Sequence, residues 1–260
     1  MIKPKKSLGQ NFLTDRNILE KIIGLTKIEK KSVLEVGPGT GNLTSYILKN
    51  NPKKVFLIEK DENLVSFLAN EFEEKVTIIN NDVLDVNEKK IFKEKLTVFG
   101  NLPYNISTEI LCKWILNLNT NNFWFDCLIL MFQKEVANRI VASPGSKAYG
   151  RLSVMAQWRC NTKIAFNIPA TAFTPPPKVE SSIVHFEALK EPRFPAEVNK
   201  LEFVVSKAFN QRRKMLRGAL KGHFKNVEEG LLAIGVVPTK RAENVTIQEF
   251  CLMAQILVRT

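Results

Sequence analysis

The tetrapeptide Asn101-Leu102-Pro103-Tyr104 has side chains that could hold an adenine amine for reaction. This amine is a poor nucleophile, because its lone pair is delocalised into the ring. An asparagine side-chain oxygen and a main-chain carbonyl could accept its two hydrogens and favour a pyramidal nitrogen that faces a methyl donor. Pro103 would fix the loop, and Tyr104 could stack on a base turned out of its helix. The motif predicts methyl transfer to adenine, although it could also be a plain turn after a strand.

A second group of residues could bind a nucleotide-like cofactor. The segment 35–42 reads EVGPGTGN, which places Gly37, Gly39 and Gly41 between a predicted strand and a predicted helix. Glycines at this point permit a tight turn and a close approach of a ligand to the main chain. Asn42 stands where a dinucleotide-binding GxGxxG would have its third glycine, which argues against a nicotinamide or flavin cofactor without excluding one. A glycine-rich turn without a ligand is the alternative.

Two acidic residues end or follow the next two predicted strands. Glu59 lies 22 residues after Gly37 and could accept hydrogen bonds from both hydroxyls of a ribose. Asp82 could contact the edge of an adenine, although a surface acid after a strand is common. Because ligands bind at the carboxyl ends of the strands in an open parallel sheet, we expect these acids, the glycine loop and Asn101 to form one site.

Such a site requires a doubly wound α/β domain. Apolar, β-branched runs alternate with amphipathic stretches, as expected for a mostly parallel sheet covered on both faces. Seven strands are predicted, with the last two as an antiparallel pair at one edge: 32–37, 54–60, 76–80, 96–101, 127–132, 163–169 and 181–189. Helices are predicted between them at 42–50, 62–73, 88–94 and 106–118.

A small C-terminal all-helical domain is predicted after a proline-containing linker. Pro192 and Pro195 mark this linker, which divides the chain into domains at 1–189 and 196–260. The second domain has helical patterns at 197–210, 213–221, 227–234 and 246–258.

The charge distribution indicates a polyanionic partner. The net charge is +12, and residues 190–260 hold 13 Lys and Arg against 7 Asp and Glu. This surplus suits nucleic acid, although an anionic membrane surface would also attract it. Arg213, Arg217 and Lys221 recur every four residues and would form one stripe on a helix. The predicted RNA-binding residues are Arg212, Arg213, Lys214, Arg217 and Lys221, and Lys3, Lys5 and Lys6 add a basic arm; a solvated basic face is the alternative.

Other sequence features argue against a metal site and a membrane segment. Cys112, Cys127, Cys160 and Cys251 are far apart, and with two histidines in the chain we expect reduced thiols and no metal. The first residues lack an apolar signal region, and no run approaches the length of a membrane span. A soluble, cytoplasmic protein is therefore expected. We also expect a monomer, although no sequence feature determines the oligomeric state.

Five blocks of the sequence resemble a known family. They read SLGQNFL (7–13), LEVGPGTGNLT (34–44), FGNLPYNIST (99–108), FTPPPKVES (173–181) and AFNQRRKMLRGAL (208–220). These blocks, in this order, are similar to those of the ribosomal RNA adenine N6,N6-dimethyltransferases of the KsgA type. The resemblance implies a Rossmann-like class I methyltransferase fold and S-adenosylmethionine as methyl donor. It also implies a substrate, namely two adjacent adenosines in the 3′-terminal hairpin loop of 16S rRNA within the 30S subunit.

The resemblance also implies roles for individual residues. Asn11 and Leu13 would cover the adenosine and methionine portions of the donor, and Gly37 would line its methionine portion. Glu59 would hold its ribose, Asp82 its adenine, and Gly39 would also belong to the donor-binding residues. Asn101 would contact both the donor and the target amine, within the catalytic motif that includes Leu102, Pro103 and Tyr104. Phe173 would form a second aromatic wall opposite Tyr104, although from the sequence alone a residue before three prolines is more often a packing residue.

Three alternatives remain open from the sequence. A resistance methyltransferase acting on large-subunit rRNA would share the fold, but the AFNQRRKMLRGAL block favours the small-subunit enzyme. A DNA adenine methyltransferase is disfavoured, since no separate base-reading module is evident. A non-catalytic ribosome-assembly factor could lose Asn101 or the glycine loop, yet both are present.

Overall fold

The computed structural model describes residues 4–5, 9–116, 124–224 and 226–256. It divides into two compact units. The first contains the described residues of Met1–Trp114, Asn121–Ala137 and Thr162–Ala188, and the second those of Ile115–Thr120, Asn138–Asn161 and Leu189–Thr260. The second unit thus includes residues 138–161 besides residues 189–260, and the division into domains at 1–189 and 196–260 stays a prediction.

The first unit is built on a seven-stranded sheet with the strand order β4-β3-β2-β5-β6-β9-β7. The strands are β2 (Ser32–Val36), β3 (Lys54–Glu59), β4 (Thr77–Asn80), β5 (Leu96–Gly100), β6 (Phe125–Gln133), β7 (Cys160–Ile168) and β9 (Ser181–Ala188). Neighbouring strands from β4 to β6 pair in parallel, and β9 is antiparallel to β6. Every residue of β2 and β5 is buried, so both faces of the sheet centre are covered.

Short helices follow most of the parallel strands. Helix α1 (Arg16–Ile23) precedes β2, and the helices that follow parallel strands are α2 (Asn42–Lys49), α3 (Glu62–Phe72), α4 (Glu88–Ile91), α5 (Ser107–Leu116) and α6 (Lys134–Ile140). Helices α5 and α6 continue into the second unit. Asp15 and Asp61 cap α1 and α3, where their carboxylates accept hydrogen bonds from Ile18 N and Asn63 N. The predicted helices 42–50, 62–73 and 106–118 are confirmed, and residues 117 and 118 lie outside the described residues.

A two-stranded sheet that the sequence did not predict brings distant segments of the first unit together. Strands β1 (Phe12–Leu13) and β8 (Phe173–Thr174) pair antiparallel, with Leu13 opposite Phe173. Both of these side chains are buried, at 6% and 3% exposure, in the hydrophobic core that also contains Ile129 and Ile183. The pairing fixes the N-terminal segment against the loop before β9.

The second unit is mainly helical. Its helices are α7 (Arg151–Arg159), α8 (Val198–Asn210), α9 (Leu216–Ala219), α10 (Val227–Ala233) and α11 (Ile247–Ile256). Buried residues of α8 and α11 form its centre, among them Val204, Val205 and Phe250. The predicted helix 246–258 is confirmed as far as residue 256, and residues 257 and 258 lie outside the described part of the chain.

The predicted helix 213–221 is wrong in extent. Only Leu216–Ala219 is helical, because Met215 is extended and bridges Arg241, and because Leu216 N donates to Lys240 O at 2.8 Å. Arg213 lies in the preceding turn and Lys221 in the following one. The single helical stripe of Arg213, Arg217 and Lys221 is therefore not formed. The buried side chains of this segment are Leu216, Ala219 and Leu220.

No helix within the described ranges is long and apolar enough to cross a membrane. Cys127, Cys160 and Cys251 are buried, and no group of three His, Cys, Asp or Glu in the described part is arranged to hold a metal ion.

Candidate active site

The candidate site lies at the point in the sheet where the strand order reverses, between β2 and β5. From β2 the chain proceeds outwards to β3 and β4, and it later returns to the other side of β2 with β5 and β6. Ligands bind at such a switch point, beyond the carboxyl ends of the strands. Here Gly37 follows β2 and Asn101 follows β5, and both line a cavity of about 250 Å³.

Most of the predicted site residues meet in this cavity. Its lining includes Asn11, Gly37, Gly39, Glu59, Asp82, Asn101, Leu102, Pro103 and Tyr104. It also includes Gly9, Gln10, Phe12, Lys60, Asn81 and Asn105, to which the sequence analysis gave no role. Gly9, Gln10 and Phe12 belong to the SLGQNFL block, so their position in a distinctive segment was the available sequence signal.

The glycine loop permits close approaches that other residues would block. Gly37 and Gly39 have φ values of +68° and +57°, which L side chains rarely adopt. A Cβ atom at Gly37 would lie 3.1 Å from the carbonyl oxygen of Asn101, and one at Gly39 would lie 2.8 Å from the Phe12 ring. The loop therefore forms a cradle in which a ligand can contact the main chain directly.

Glu59 provides a buried carboxylate at the end of β3. It is 8% exposed, and its Oε1 accepts hydrogen bonds from Lys60 N at 2.9 Å and Asp61 N at 2.8 Å. Burial raises the pKa of this carboxyl above its usual range, although the backbone hydrogen bonds oppose the rise. The side chain is oriented by these bonds and is suited to accept hydrogen bonds from ribose hydroxyls.

Asp82 lies at the cavity beyond β4 and is already engaged by protein groups. Its Oδ2 accepts a hydrogen bond from Lys60 Nζ at 2.7 Å, and its Oδ1 accepts one from Leu84 N at 2.9 Å. The hydrogen bond from Lys60 is the main reason why the pKa of Asp82 is lowered. A ligand amine would therefore meet a charged carboxylate whose orientation is fixed from two sides.

The target-base loop begins at the end of β5. Asn101 Nδ2 donates to the carbonyl oxygen of Asn11 at 3.0 Å, so the amide oxygen of Asn101 is left as an acceptor at the cavity. Ile106 N donates to Pro103 O at 3.1 Å and closes the turn. The Tyr104 hydroxyl forms a hydrogen bond with Ser181 Oγ, and burial raises the pKa of Tyr104. The loop thus presents an amide acceptor beside an aromatic ring.

Two predicted site residues lie elsewhere. Among the described residues, the lining of this cavity does not include Leu13 or Phe173. Leu13 instead lines a smaller space of about 30 Å³ beneath the glycine loop, and its carbonyl oxygen accepts a hydrogen bond from Asn42 Nδ2 at 2.8 Å. Phe173 is a core residue paired with Leu13 in the β1–β8 sheet. This burial is what the packing alternative predicts, and the role of Phe173 as a wall opposite Tyr104 stays a prediction.

The five predicted RNA-binding residues differ in their surroundings. Arg212 is engaged within the second unit, where Nε pairs with Glu243 at 2.9 Å and Nη2 donates to Lys147 O at 2.7 Å. Arg217 is exposed and lies 3.5 Å from Glu228. The other three, Arg213, Lys214 and Lys221, are exposed without an ion pair to any described residue. The arm residues Lys3 and Lys6 lie outside the described residues.

Comparison with known proteins identifies close relatives. A family model described as ribosomal RNA adenine dimethylase matches residues 1–259. A ribosomal RNA small subunit methyltransferase A from Pelagibacter ubique is 49% identical over 249 residues, which cover 94% of this chain and 92% of the relative. Its counterpart in Ruegeria pomeroyi is 47% identical over 262 residues, which cover 99% and 94%.

Solved structures share the fold. A dimethyladenosine transferase from Plasmodium falciparum is 26% identical with a TM-score of 0.81, and the match covers 93% of this chain and 95% of that one. The 23S rRNA methyltransferase ErmE is 24% identical with a TM-score of 0.70 over 95% and 99% of the two chains, a likeness that shows the fold alone. Since the family model matches nearly every residue, and since the relatives match at almost half of their positions, the chain belongs to the ribosomal RNA adenine dimethylase family.

Proposed function

We propose that the protein dimethylates the N6 amines of two adjacent adenosines in the 3′-terminal hairpin loop of 16S rRNA, within the 30S subunit. The observation that carries this proposal is the juxtaposition of Asn101 with the glycine cradle. A Cβ at Gly37 would lie 3.1 Å from Asn101 O, so the target loop and the donor loop border the same space. Methyl transfer requires the two substrates to meet at such a point.

By its family, the protein is an S-adenosylmethionine-dependent rRNA adenine dimethyltransferase. When bound, this donor supplies a methyl group from its sulfonium, and the rest of the donor becomes a neutral thioether. The residues that line the cavity fit this donor. The cradle of Gly37 and Gly39 would hold its methionine portion, Glu59 would accept hydrogen bonds from its ribose, and Asp82 would bind its adenine.

The target side of the site would act by orientation. The Asn101 amide oxygen accepts one hydrogen of the adenine amine, and a main-chain carbonyl of the loop accepts the other. Tyr104, whose hydroxyl is tied to Ser181, presents its ring to the base. Stacking on an aromatic ring compensates for part of the stacking that the base loses when it leaves its helix. Buried Leu102 anchors the loop to the core.

The names of the relatives bear on the choice of substrate. Those at 45–49% identity are small-subunit methyltransferases, which supports 16S rRNA over large-subunit rRNA. The presence of both Asn101 and the glycine cradle supports an active enzyme over a non-catalytic assembly factor. We further propose that residues 1–189 bind the donor, that residues 196–260 contact RNA, and that the protein acts as a monomer in the cytoplasm.

The test is methyl transfer to 30S subunits that lack these modifications. Purified protein and isotopically labelled donor are incubated with the subunits, and nuclease fragments of the rRNA are analysed by mass spectrometry. Two adjacent dimethyladenosines near the 3′ end of 16S rRNA are expected, with none formed by the Asn101→Ala variant. Labelling of 50S subunits instead would support the large-subunit alternative, and donor binding without transfer to either subunit would support an assembly factor.

A further inference from the structure

A segment before α1 covers part of the cavity. Gly9, Gln10, Asn11 and Phe12, here called the strap, line it beside the glycine loop. On the target side the strap is held by the hydrogen bond from Asn101 Nδ2 to Asn11 O at 3.0 Å. Beyond the strap, Thr14 N donates to Ala172 O at 3.0 Å. Neither bond holds the strap at the end of the cavity near Glu59, here called the ribose side.

On the ribose side the strap is held by Asp61. This carboxylate follows Glu59 by two residues, and its side chain is only 2% exposed. Its Oδ2 accepts a hydrogen bond from Gln10 Nε2 at 3.1 Å, and its Oδ1 accepts one from Lys5 Nζ at 2.7 Å. Gln10 also contacts Lys5 directly, because its Oε1 accepts a hydrogen bond from Lys5 N at 2.7 Å.

We propose that Asp61 is a positioning residue for the methyl donor, which it serves by holding the strap across the ribose side of the cavity through Gln10 and Lys5. The inference rests on the proposed function, since it assumes that the cavity binds S-adenosylmethionine. Among the described residues, the lining includes Glu59, Lys60 and Leu64 but not Asp61. Asp61 therefore acts on the donor through the strap and through Glu59, whose Oε1 accepts a hydrogen bond from Asp61 N at 2.8 Å.

The chemistry of the anchor requires a carboxylate. Gln10 Nε2, Lys5 Nζ and Asn63 N all donate to it, and a carboxylate can accept all three at once. Burial opposes the charge, but the hydrogen bonds from Lys5 and Gln10 more than offset it and lower the pKa of Asp61. An asparagine whose oxygen stays toward Asn63 N would still cap α3, but its NH₂ group would then face Gln10 Nε2, which is itself a donor. Asp61→Asn therefore separates the anchoring role from the capping role.

The experiment is titration calorimetry of the full chain with S-adenosylmethionine, combined with steady-state methylation of 30S subunits. Asp61→Asn should raise both the Kd and the KM for the donor roughly tenfold, because the charge-assisted hydrogen bonds from Gln10 and Lys5 are lost or weakened. It should change kcat at saturating donor little. Asp15→Asn is the matched control, because Asp15 caps α1 in the same way without contacting the strap; its Kd should equal that of wild type.

A second pair of variants covers the case in which Asp61→Asn does not fold. Lys5 is 44% exposed, so neither Lys5→Met nor Lys5→Arg is expected to disturb the core. Lys5→Met should weaken donor binding several-fold, and Lys5→Arg should restore it, since it keeps the charge. Wild-type affinity in both Asp61→Asn and Lys5→Met would overturn the anchor while leaving the proposed function intact. Failure of the wild type to bind the donor would overturn both.

Discussion

The phenolic hydroxyl of Tyr104 lies 2.5 Å from Oγ of Ser181, which joins the target-base loop to the first residue of β9. Ser181 is fully buried, whereas Tyr104 is partly exposed at the cavity. The bond therefore orients a ring that is partly exposed at the cavity.

The first prediction concerns this bond. Tyr104→Phe and Ser181→Ala should each slow single-turnover methylation by a similar, modest factor, corresponding to about 0.5–1.5 kcal/mol for a neutral hydrogen bond. The double variant should be no slower than the slower single variant, because both remove the same bond. Tyr104→Ala should lose more, about 1–3 kcal/mol of stacking. Additive losses in the double variant, or a wild-type rate for Tyr104→Ala, would contradict the orienting and stacking roles respectively.

The second prediction concerns Asn101, whose side chain would bind the target amine and also binds Asn11 O of the strap. Asn101→Ala should abolish transfer, because it removes an acceptor for the target amine. It should also weaken donor binding, because the hydrogen bond to Asn11 O that holds the strap is lost. Calorimetry and methylation assays measure the two effects separately. Transfer at the wild-type rate by a folded Asn101→Ala variant would remove the residue from the catalytic site.

The third prediction concerns the ribose side. Glu59→Ala should weaken S-adenosylmethionine binding by roughly 1.5–3 kcal/mol, the range for a hydrogen bond involving a charged group. Glu59 Oε1 also accepts hydrogen bonds from Lys60 N and Asp61 N. Glu59→Gln is therefore the sharper comparison, since it keeps one acceptor oxygen for these bonds and replaces the other with an NH₂ group that cannot accept a hydrogen bond from a ribose hydroxyl. Both variants are measured by calorimetry, with thermal unfolding as a check on folding. Unchanged affinity in both would exclude Glu59 as the ribose ligand.

The sheet was predictable because its central strands are continuous β-branched and apolar runs. The predicted bounds of β2 and β5 exceed the observed ones by one residue each. The glycine cradle, Glu59, Asp82 and Asn101 were also predictable, since each lies at the carboxyl end of a parallel strand.

The remaining features depend on contacts between distant residues. Tyr104 and Ser181 are 77 residues apart, and nothing local to either one indicates the other. The burial of Phe173 follows from a β1–β8 pairing too short to give an alternating pattern. In the second unit, the helical spacing of the basic residues was overridden by the bridge between Met215 and Arg241.

The fourth prediction concerns Glu35, a fully buried carboxyl beneath the cofactor loop. Burial raises its pKa from 4.5 to about 7, although the hydrogen bond donated by Thr44 opposes the rise. The folded state therefore binds the proton more tightly than the unfolded state, so this group makes the fold less stable as the pH rises from 4.5 to 7. The stability of Glu35→Gln relative to wild type should thus increase by about 3 kcal/mol across this range. Urea unfolding at several pH values measures it, and a constant difference would contradict the buried-proton account.

The last prediction concerns RNA binding by the second unit. Its basic segment was expected to be one helix, but it forms a turn, the short helix α9 and a second turn. Arg213 and Arg217 remain exposed across these elements, and Arg217 has only a 3.5 Å contact with half-exposed Glu228. Arg212, by contrast, is bound to Glu243 and to Lys147 O. If the exposed residues contact phosphate, their removal should change the salt dependence of binding, whereas removal of Arg212 should mainly change the stability of the fold.

The test is a salt titration of 30S binding for Arg213→Ala combined with Arg217→Ala, beside wild type and Arg212→Ala. Each phosphate contact that is lost should flatten the plot of log affinity against log salt by roughly 0.7–0.9. The double variant should therefore bind more weakly with a shallower slope, and it should keep its affinity for S-adenosylmethionine because neither arginine lies in the first unit. Parallel lines for the double variant and wild type would show that these arginines do not contact phosphate. The contacts would then have to be sought among Lys214, Lys221 and the N-terminal lysines, by the same titration.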